Sequence, residues 1–240
     1  MSYEKSAMRE RSLFFVNRER AALQLFDIHN GTLARAVRGE GGDWEVALCA
    51  NDYGGGKSKC ASNYISLISK LEVPIARHQR VFSYLQNAVT IQIRLGAQSK
   101  PAWDLSAQLV TLIKEAVTRK AAHKFDFDSF PQTLRPFMQE LVKRSDQSIF
   151  LVIDGVGEPF RRINDRSDEV QAEQLADFKE FTKVSISKLL DIPGLFLLLC
   201  GRAPFLDWVG TRPNCESGKS EQNCPEHYKT CRYRKNSSEY

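Results

Sequence analysis

From Gly210 to Tyr240 the chain contains no alanine, valine, isoleucine, leucine, methionine, phenylalanine or tryptophan, so Val209 is its last aliphatic residue. A segment with so little to bury adds nothing to a hydrophobic core; residues 210–240 therefore read as a disordered tail and residues 1–209 as the folded domain. Long apolar runs are missing throughout. None approaches the roughly 20 residues that span a bilayer, and the opening MSYEKSAMRERSLFFVNRER lacks the uninterrupted apolar stretch of a signal peptide. The expectation is a soluble, intracellular chain with no membrane partner. Charge of one sign is also scarce, with 34 Lys/Arg against 29 Asp/Glu for a net +5. In the tail, Arg212, Lys219, Lys229, Arg232, Arg234 and Lys235 face Glu216, Glu221, Glu226 and Glu239, a surplus of two. So small an excess argues against nucleic acid as a partner. The 6 cysteines form no small disulfide framework, since Cys49 and Cys200 sit inside apolar runs. Reduced thiols are the expectation.

What is present suits an α/β protein. At 240 residues the chain is long enough to bury a sizeable core. Four strand-like runs occur: Trp44 to Ala50, Ala88 to Leu95, Ile149 to Ile153 and Leu195 to Cys200. The second alternates apolar with polar residues; the third is wholly apolar, as a strand buried on both faces must be. Helical spacing marks 58–71, 103–119, 131–144 and 168–190, with Pro74 and Pro193-Gly194 as stops. Strands alternating with helices predict a parallel sheet covered on both faces.

The chemistry sits at the strand ends. After the first strand comes Asn51-Asp52-Tyr53-Gly54-Gly55-Gly56-Lys57-Ser58, which matches G-x-x-x-x-G-K-[ST] except that Asn51 replaces the first glycine. Glycines let successive backbone N–H groups converge on phosphate oxygens, and the helix N-terminus adds positive potential. Asn51 tolerates the left-handed turn. Nucleotide contact is thus assigned to Asn51, Gly54, Gly55, Gly56, Lys57, Ser58 and Lys59, with Lys57 on the β- and γ-phosphates and the Ser58 hydroxyl on Mg²⁺. The third strand ends in Asp154, a carboxylate placed to hold the same Mg²⁺ through water or Ser58, from the side opposite Lys57. Glu158 is the candidate base for an attacking water. Arg202, just past the fourth strand and Gly201, is the candidate reporter of the γ-phosphate, with Gly201 bending the chain there. The bland alternatives are a glycine-rich surface loop, a solvated Glu158 and a surface Arg202.

Asp154-Gly-Val-Gly-Glu158 resembles the Walker B segment of the signal-transduction ATPases with numerous domains, an AAA-like branch of the P-loop ATPases. Gly157 stands where that pattern has a second acidic residue, so the resemblance implies nucleotide binding with weak or absent hydrolysis. Phe14-Phe-Val-Asn-Arg-Glu-Arg20 is similar to the segment that packs on adenine in those proteins, which makes Val16 and Arg18 cofactor-binding candidates; Leu197 to Arg202 is similar to their sensor strand. More narrowly, the FFVNRERA segment, a strand and then NDYGGGKS resemble the ATPase domain of Crinkler-type and retrotransposon-hot-spot proteins, whose phosphate loop also begins with Asn; the likeness spans about residues 11–206. It implies Mg-ATP as cofactor, an effector or conflict protein secreted or acting in a host nucleus, and a protein partner or self-association through the ATPase domain.

The resemblance also implies a three-layer sheet of order 5-1-4-3-2. Cys49 and Cys200 would then be neighbours, and a fifth strand should follow Arg202. Nothing after Val209 is apolar enough for that strand or for a helical lid, so both are expected to be missing and the chain to be truncated relative to its family. Thr182-Lys183-Val184-Ser185 lacks the aspartate of a guanine-reading motif, and no LSGGQ stretch points to a transporter ATPase. Cys215, Cys224, His227 and Cys231 lack the regular spacing of a zinc site. Two rival readings stand beside the ATP switch: a P-loop small-molecule kinase using Arg161 and Arg162 as lid arginines, and a degenerate ATPase fold kept as an interaction module.

Overall fold

Every residue from Ile149 to Ile153 and from Leu195 to Cys200 is buried, so these two runs lie inside the sheet with helices over both faces. The computed structural model describes residues 19–39, 43–49, 57–70, 75–96, 102–120, 125–161, 167–201, 205–206 and 229–234. The elements run α1 (Glu19–Arg38), β1 (Asp43–Cys49), α2 (Lys57–Ile68), α3 (Ile75–Gln86), β2 (Val89–Arg94), α4 (Ala102–Lys120), α5 (Leu134–Ser145), β3 (Ile149–Asp154), α6 (Asp168–Phe181), β4 (Leu195–Cys200) and β5 (Lys229–Arg234). The sheet order is β2-β3-β4-β1-β5. Strands β1 to β4 are mutually parallel, and β5 joins β1 antiparallel. The expected α/β class with a parallel sheet is therefore present.

Alternation along the strands sorts the core into two layers. Val46, Leu48, Leu151, Ile153, Leu197 and Leu199 pack with α4, α5 and α6. Ala47, Cys49, Phe150, Val152, Phe196 and Cys200 pack with α1, α2 and α3. Cys49 and Cys200 are register partners, buried and not disulfide-bonded, as expected. No described helix is long and apolar enough to cross a membrane.

Strands β1 to β4 stand in the expected 1-4-3-2 order, and the departure is at the fifth place, which was expected to be empty. The edge of β1 that was expected to lie open is paired with β5, which comes from inside the segment read as a disordered tail and runs antiparallel. The reason is physical: a strand held by backbone hydrogen bonds needs no aliphatic side chains, so apolar content alone does not exclude one. Among the smaller corrections, the single helix expected over 168–190 is α-helical only to Phe181. It continues as a π-turn, Thr182–Ile186, and a 3₁₀ turn, Ser187–Leu189. At this change of pitch the Thr182 hydroxyl donates to the Phe178 and Lys179 carbonyls. Helices α1 and α3 add to the expected set.

The β1–β4 ladder covers only Ala47–Cys49 against Leu198–Cys200, although both strands begin earlier. Where they part, α1 supplies polar side chains. The Thr32 hydroxyl donates to the Ile28 carbonyl at 2.9 Å and to Glu45 of β1 at 3.4 Å. His29, 2% exposed, lies 3.0 Å from the Leu197 carbonyl through Nε2 and 2.9 Å from the Tyr64 hydroxyl through Nδ1. A carbonyl only accepts, so Nε2 carries the proton and Nδ1 accepts from Tyr64. His29 thereby ties α1, α2 and β4 together as a neutral imidazole, ringed by Tyr64, Phe150 and Phe196.

Burial lowers the His29 pKa from 6.5 to about 4, against a smaller opposing effect of the Leu197 carbonyl. Burial, then the charges of Asp27 and Cys60, push the Tyr64 hydroxyl well above its ordinary value. Between these His29 pKa values the unfolded chain binds the proton first, so this contribution is full above about pH 6.5 and falls away towards pH 4. The stability advantage of wild type over His29→Gln is expected to shrink by roughly 2–3 kcal/mol between pH 7.5 and 4.5, at about 1.4 kcal/mol per pKa unit. Urea unfolding at the two pH values measures it; parallel pH profiles for the two proteins would refute a buried neutral imidazole.

Candidate functional site

Parallel pairing puts the C-terminal ends of β1 to β4 at one edge of the sheet, where open α/β sheets bind their ligands. Register aligns them further. Arg94 pairs with Asp154, Asp154 with Cys200, and Cys200 with Cys49, forming one row across four strands. Alternation assigns Asp154 to the same face as Phe150 and Val152, the face on which Ala61, Tyr64 and Ile68 of α2 pack. The chain leaves β1 at Cys49 and enters α2 at Lys57. A strand-end carboxylate and the start of α2 therefore share one edge and one face.

Asp154 is half-buried, and its Oδ1 accepts the Gly155 N–H at 2.9 Å. Its backbone carbonyl accepts the Leu95 N–H at 2.8 Å, which extends the β2–β3 ladder to the rim. Gly155 then turns the chain with φ +75°, and a Cβ there would lie 2.6 Å from the Leu95 carbonyl oxygen. The Val156 N–H donates to the Cys200 carbonyl at 3.0 Å, so the loop folds across the end of β4. Glu158 opens a 3₁₀ turn, Glu158–Phe160, and its N–H donates to the Gly155 carbonyl at 2.9 Å. The turn is anchored by Phe160, whose ring meets Phe178, Phe181 and Phe205.

The Glu158 carboxylate lies 3.4 Å from the Arg161 guanidinium, with side-chain exposures of 27% and 49% for the acid and the base. This is a surface pair of small energetic weight. It holds Glu158 alongside its own turn, and it occupies one of the two arginines expected to act as lid residues. Gly201 plays a different part from the expected one. Its φ is not positive; instead a Cβ would lie 2.7 Å from Leu206 Cδ1 and 2.8 Å from Val156 Cγ2. Its N–H donates to the Cys49 carbonyl at 3.0 Å. Glycine is required there because the loop after β3 crosses directly over the end of β4.

Of the sequence-assigned residues, the structure brings Asp154 and Glu158 into one loop and places Lys57, Ser58 and Lys59 in the first turn of α2. Val16, Arg18, Asn51, Gly54, Gly55, Gly56, Arg162 and Arg202 lie outside the described residues. Cys231 falls in β5, whereas Cys215, Cys224 and His227 also lie outside them. No cluster of three metal-ligating side chains occurs among the described residues. Sequence reasoning passed over Arg94, which the register sets beside Asp154; its terminal place in an alternating strand was the available signal.

Gly155→Ala is expected to destabilise the protein by about 2 kcal/mol or more, from the left-handed backbone and the approach to Leu95. Gly96→Ala, one residue beyond Leu95 and with open space around it, should shift stability by less than about 0.5 kcal/mol. Chemical denaturation of both variants checks the contrast. Set against known proteins, the chain matches no family model and no curated protein.

Proposed function

We propose that this chain is a nucleotide-binding switch of the P-loop type, taking Mg-ATP at the C-terminal edge of its parallel sheet. The observation that carries the reading is the register row, which sets Asp154 level with the end of β1 and on the face covered by α2. A half-buried carboxylate at a strand end suits a hard divalent cation, and the first turn of a helix bearing Lys57 and Ser58 suits phosphate oxygens. The donor set therefore fits the expected pair of ligands. Lys57 would neutralise the phosphates, while Ser58 and Asp154 would hold Mg²⁺, which supplies charge neutralisation when bound.

Binding with little hydrolysis is the form of this function that the residues favour. Gly157 stands where ATPases of this type carry a second acidic residue, and the Arg161 guanidinium holds the Glu158 carboxylate alongside its own turn. In this reading the nucleotide's contribution is conformational: the phosphates draw Lys57 and Asp154 to a common ligand, and release of nucleotide removes that link.

Titration calorimetry with Mg-ATP tests the assignment. The wild type should bind, and Lys57→Ala should bind about ten- to a hundredfold more weakly, the cost of losing a charged hydrogen bond. Asp154→Asn should lose the difference between ATP with Mg²⁺ and ATP with chelator. Absence of binding by the wild type, or equal binding by wild type and Lys57→Ala, overturns the proposal.

A further inference from the structure

The antiparallel pairing of β5 with β1 runs through Asp43↔Arg234, Trp44↔Tyr233, Glu45↔Arg232, Val46↔Cys231, Ala47↔Thr230 and Leu48↔Lys229. Because β1 meets β4 only at Ala47–Cys49, residues Asp43–Val46 have β5 as their ladder partner among the described residues. The period of two sorts the pairs onto two faces. On one, Asp43 and Glu45 each stand opposite an arginine. On the other, Trp44 stands opposite Tyr233 and the buried Val46 opposite Cys231. A shift by one residue in either direction would set an arginine against Trp44 and move Glu45 opposite Cys231 or Tyr233. The acceptor edge and the donor segment thus match in charge pattern and in register.

Nothing about this match requires both strands to belong to one molecule. Residues 207–228 separate Leu206 from β5 in sequence. Fully extended, at about 3.3 Å per residue, they reach roughly 70 Å. A chain of this length folds to about 45 Å across. The connection is therefore long enough for the donor segment to reach a neighbouring molecule's β1. Its residues bring no aliphatic side chain, and opposite charges at facing ladder positions are in general worth only about 0.2–1 kcal/mol each, so its hold rests mainly on the ladder itself.

We propose that the outer edge of β1 is a strand-acceptor site for a second copy of this chain. In the exchange, Lys229–Arg234 of each molecule docks on β1 of the other, giving a reciprocal dimer. Each ladder contact made within one chain is remade between two, so exchange costs association entropy but no pairing. The intramolecular form prevails in dilute solution, and the exchanged form is populated as concentration approaches the effective concentration, on the order of millimolar, at which a chain's own β5 meets its β1. This proposal is independent of nucleotide binding and stands or falls separately from it.

Two charge-reversed full-length variants test it. An acceptor variant carries Asp43→Lys and Glu45→Lys, and a donor variant carries Arg232→Glu and Arg234→Glu. Each alone faces like charges within its own chain; mixed, each acceptor meets an opposite-charged donor only in the other molecule. Light scattering after gel filtration should find each variant monomeric and the equimolar mixture a one-to-one dimer, with association at least tenfold tighter than self-association of either. A chain with all four changes restores opposite charges internally and should be monomeric with the wild-type unfolding midpoint. The proposal is overturned if the mixture stays monomeric while the fourfold variant is folded, or if either variant alone dimerises as tightly as the mixture. It also falls if the fourfold variant fails to recover wild-type stability, because the register would then not be set by these charges.

Discussion

Three residue pairs hold the two halves of this molecule in alignment. Ala47–Cys49 meet Leu198–Cys200, and the Gly201 N–H carries the contact one step further to the Cys49 carbonyl. Through this short ladder the end of β1 comes level with the end of β4, and through β4 with Asp154 on β3. The candidate site exists as a site only because of that alignment, since its residues come from distant stretches of chain. Gly201 has no room for a Cβ at just this place, so the packing of the loop over β4 and the alignment of the strands are one constraint.

Below the shared segment the two strands diverge, and the fold compensates with side chains. His29 reaches Leu197 on β4, Thr32 reaches Glu45 on β1, and both come from α1. A histidine committed to a carbonyl on one side and a tyrosine hydroxyl on the other is a polar group fully satisfied inside an aromatic cluster. The arrangement also seats α2 on the sheet, so the helix that would meet a phosphate is fixed by contacts two turns from its first residue. The opposite edge of the sheet is managed differently. Lys120 donates its ammonium to the exposed Thr90 carbonyl of β2, placing a charge where another strand would otherwise pair.

Much of this architecture was legible in the residues. Ile149–Ile153 and Leu195–Cys200 are apolar at every position, a pattern with one natural place in a parallel sheet, and Asp154 announces itself as the first carboxylate after such a run. The Val89–Arg94 strand shows its edge position through alternation: Ile91 and Ile93 are buried, while Arg94 is exposed. What escaped was decided at long range. The reason for Gly201 lies in Val156 and Leu206; the role of His29 lies in Tyr64 and Leu197. β5 is hidden in the sequence because it carries no aliphatic residue, and its complementarity to Asp43 and Glu45 appears only when the two segments are laid antiparallel.

The distance in sequence between β1 and β5 has a consequence for how the molecule is made. A ribosome that has delivered β1 to β4 has delivered the whole parallel ladder, yet β1 still lacks its outer neighbour until residue 234 emerges. At about 5–20 residues per second that interval lasts seconds, far longer than strand pairing itself takes. On a message carrying several ribosomes, nascent chains therefore pass close to one another with this edge vacant. Which β5 arrives first is then settled by translation kinetics as much as by equilibrium.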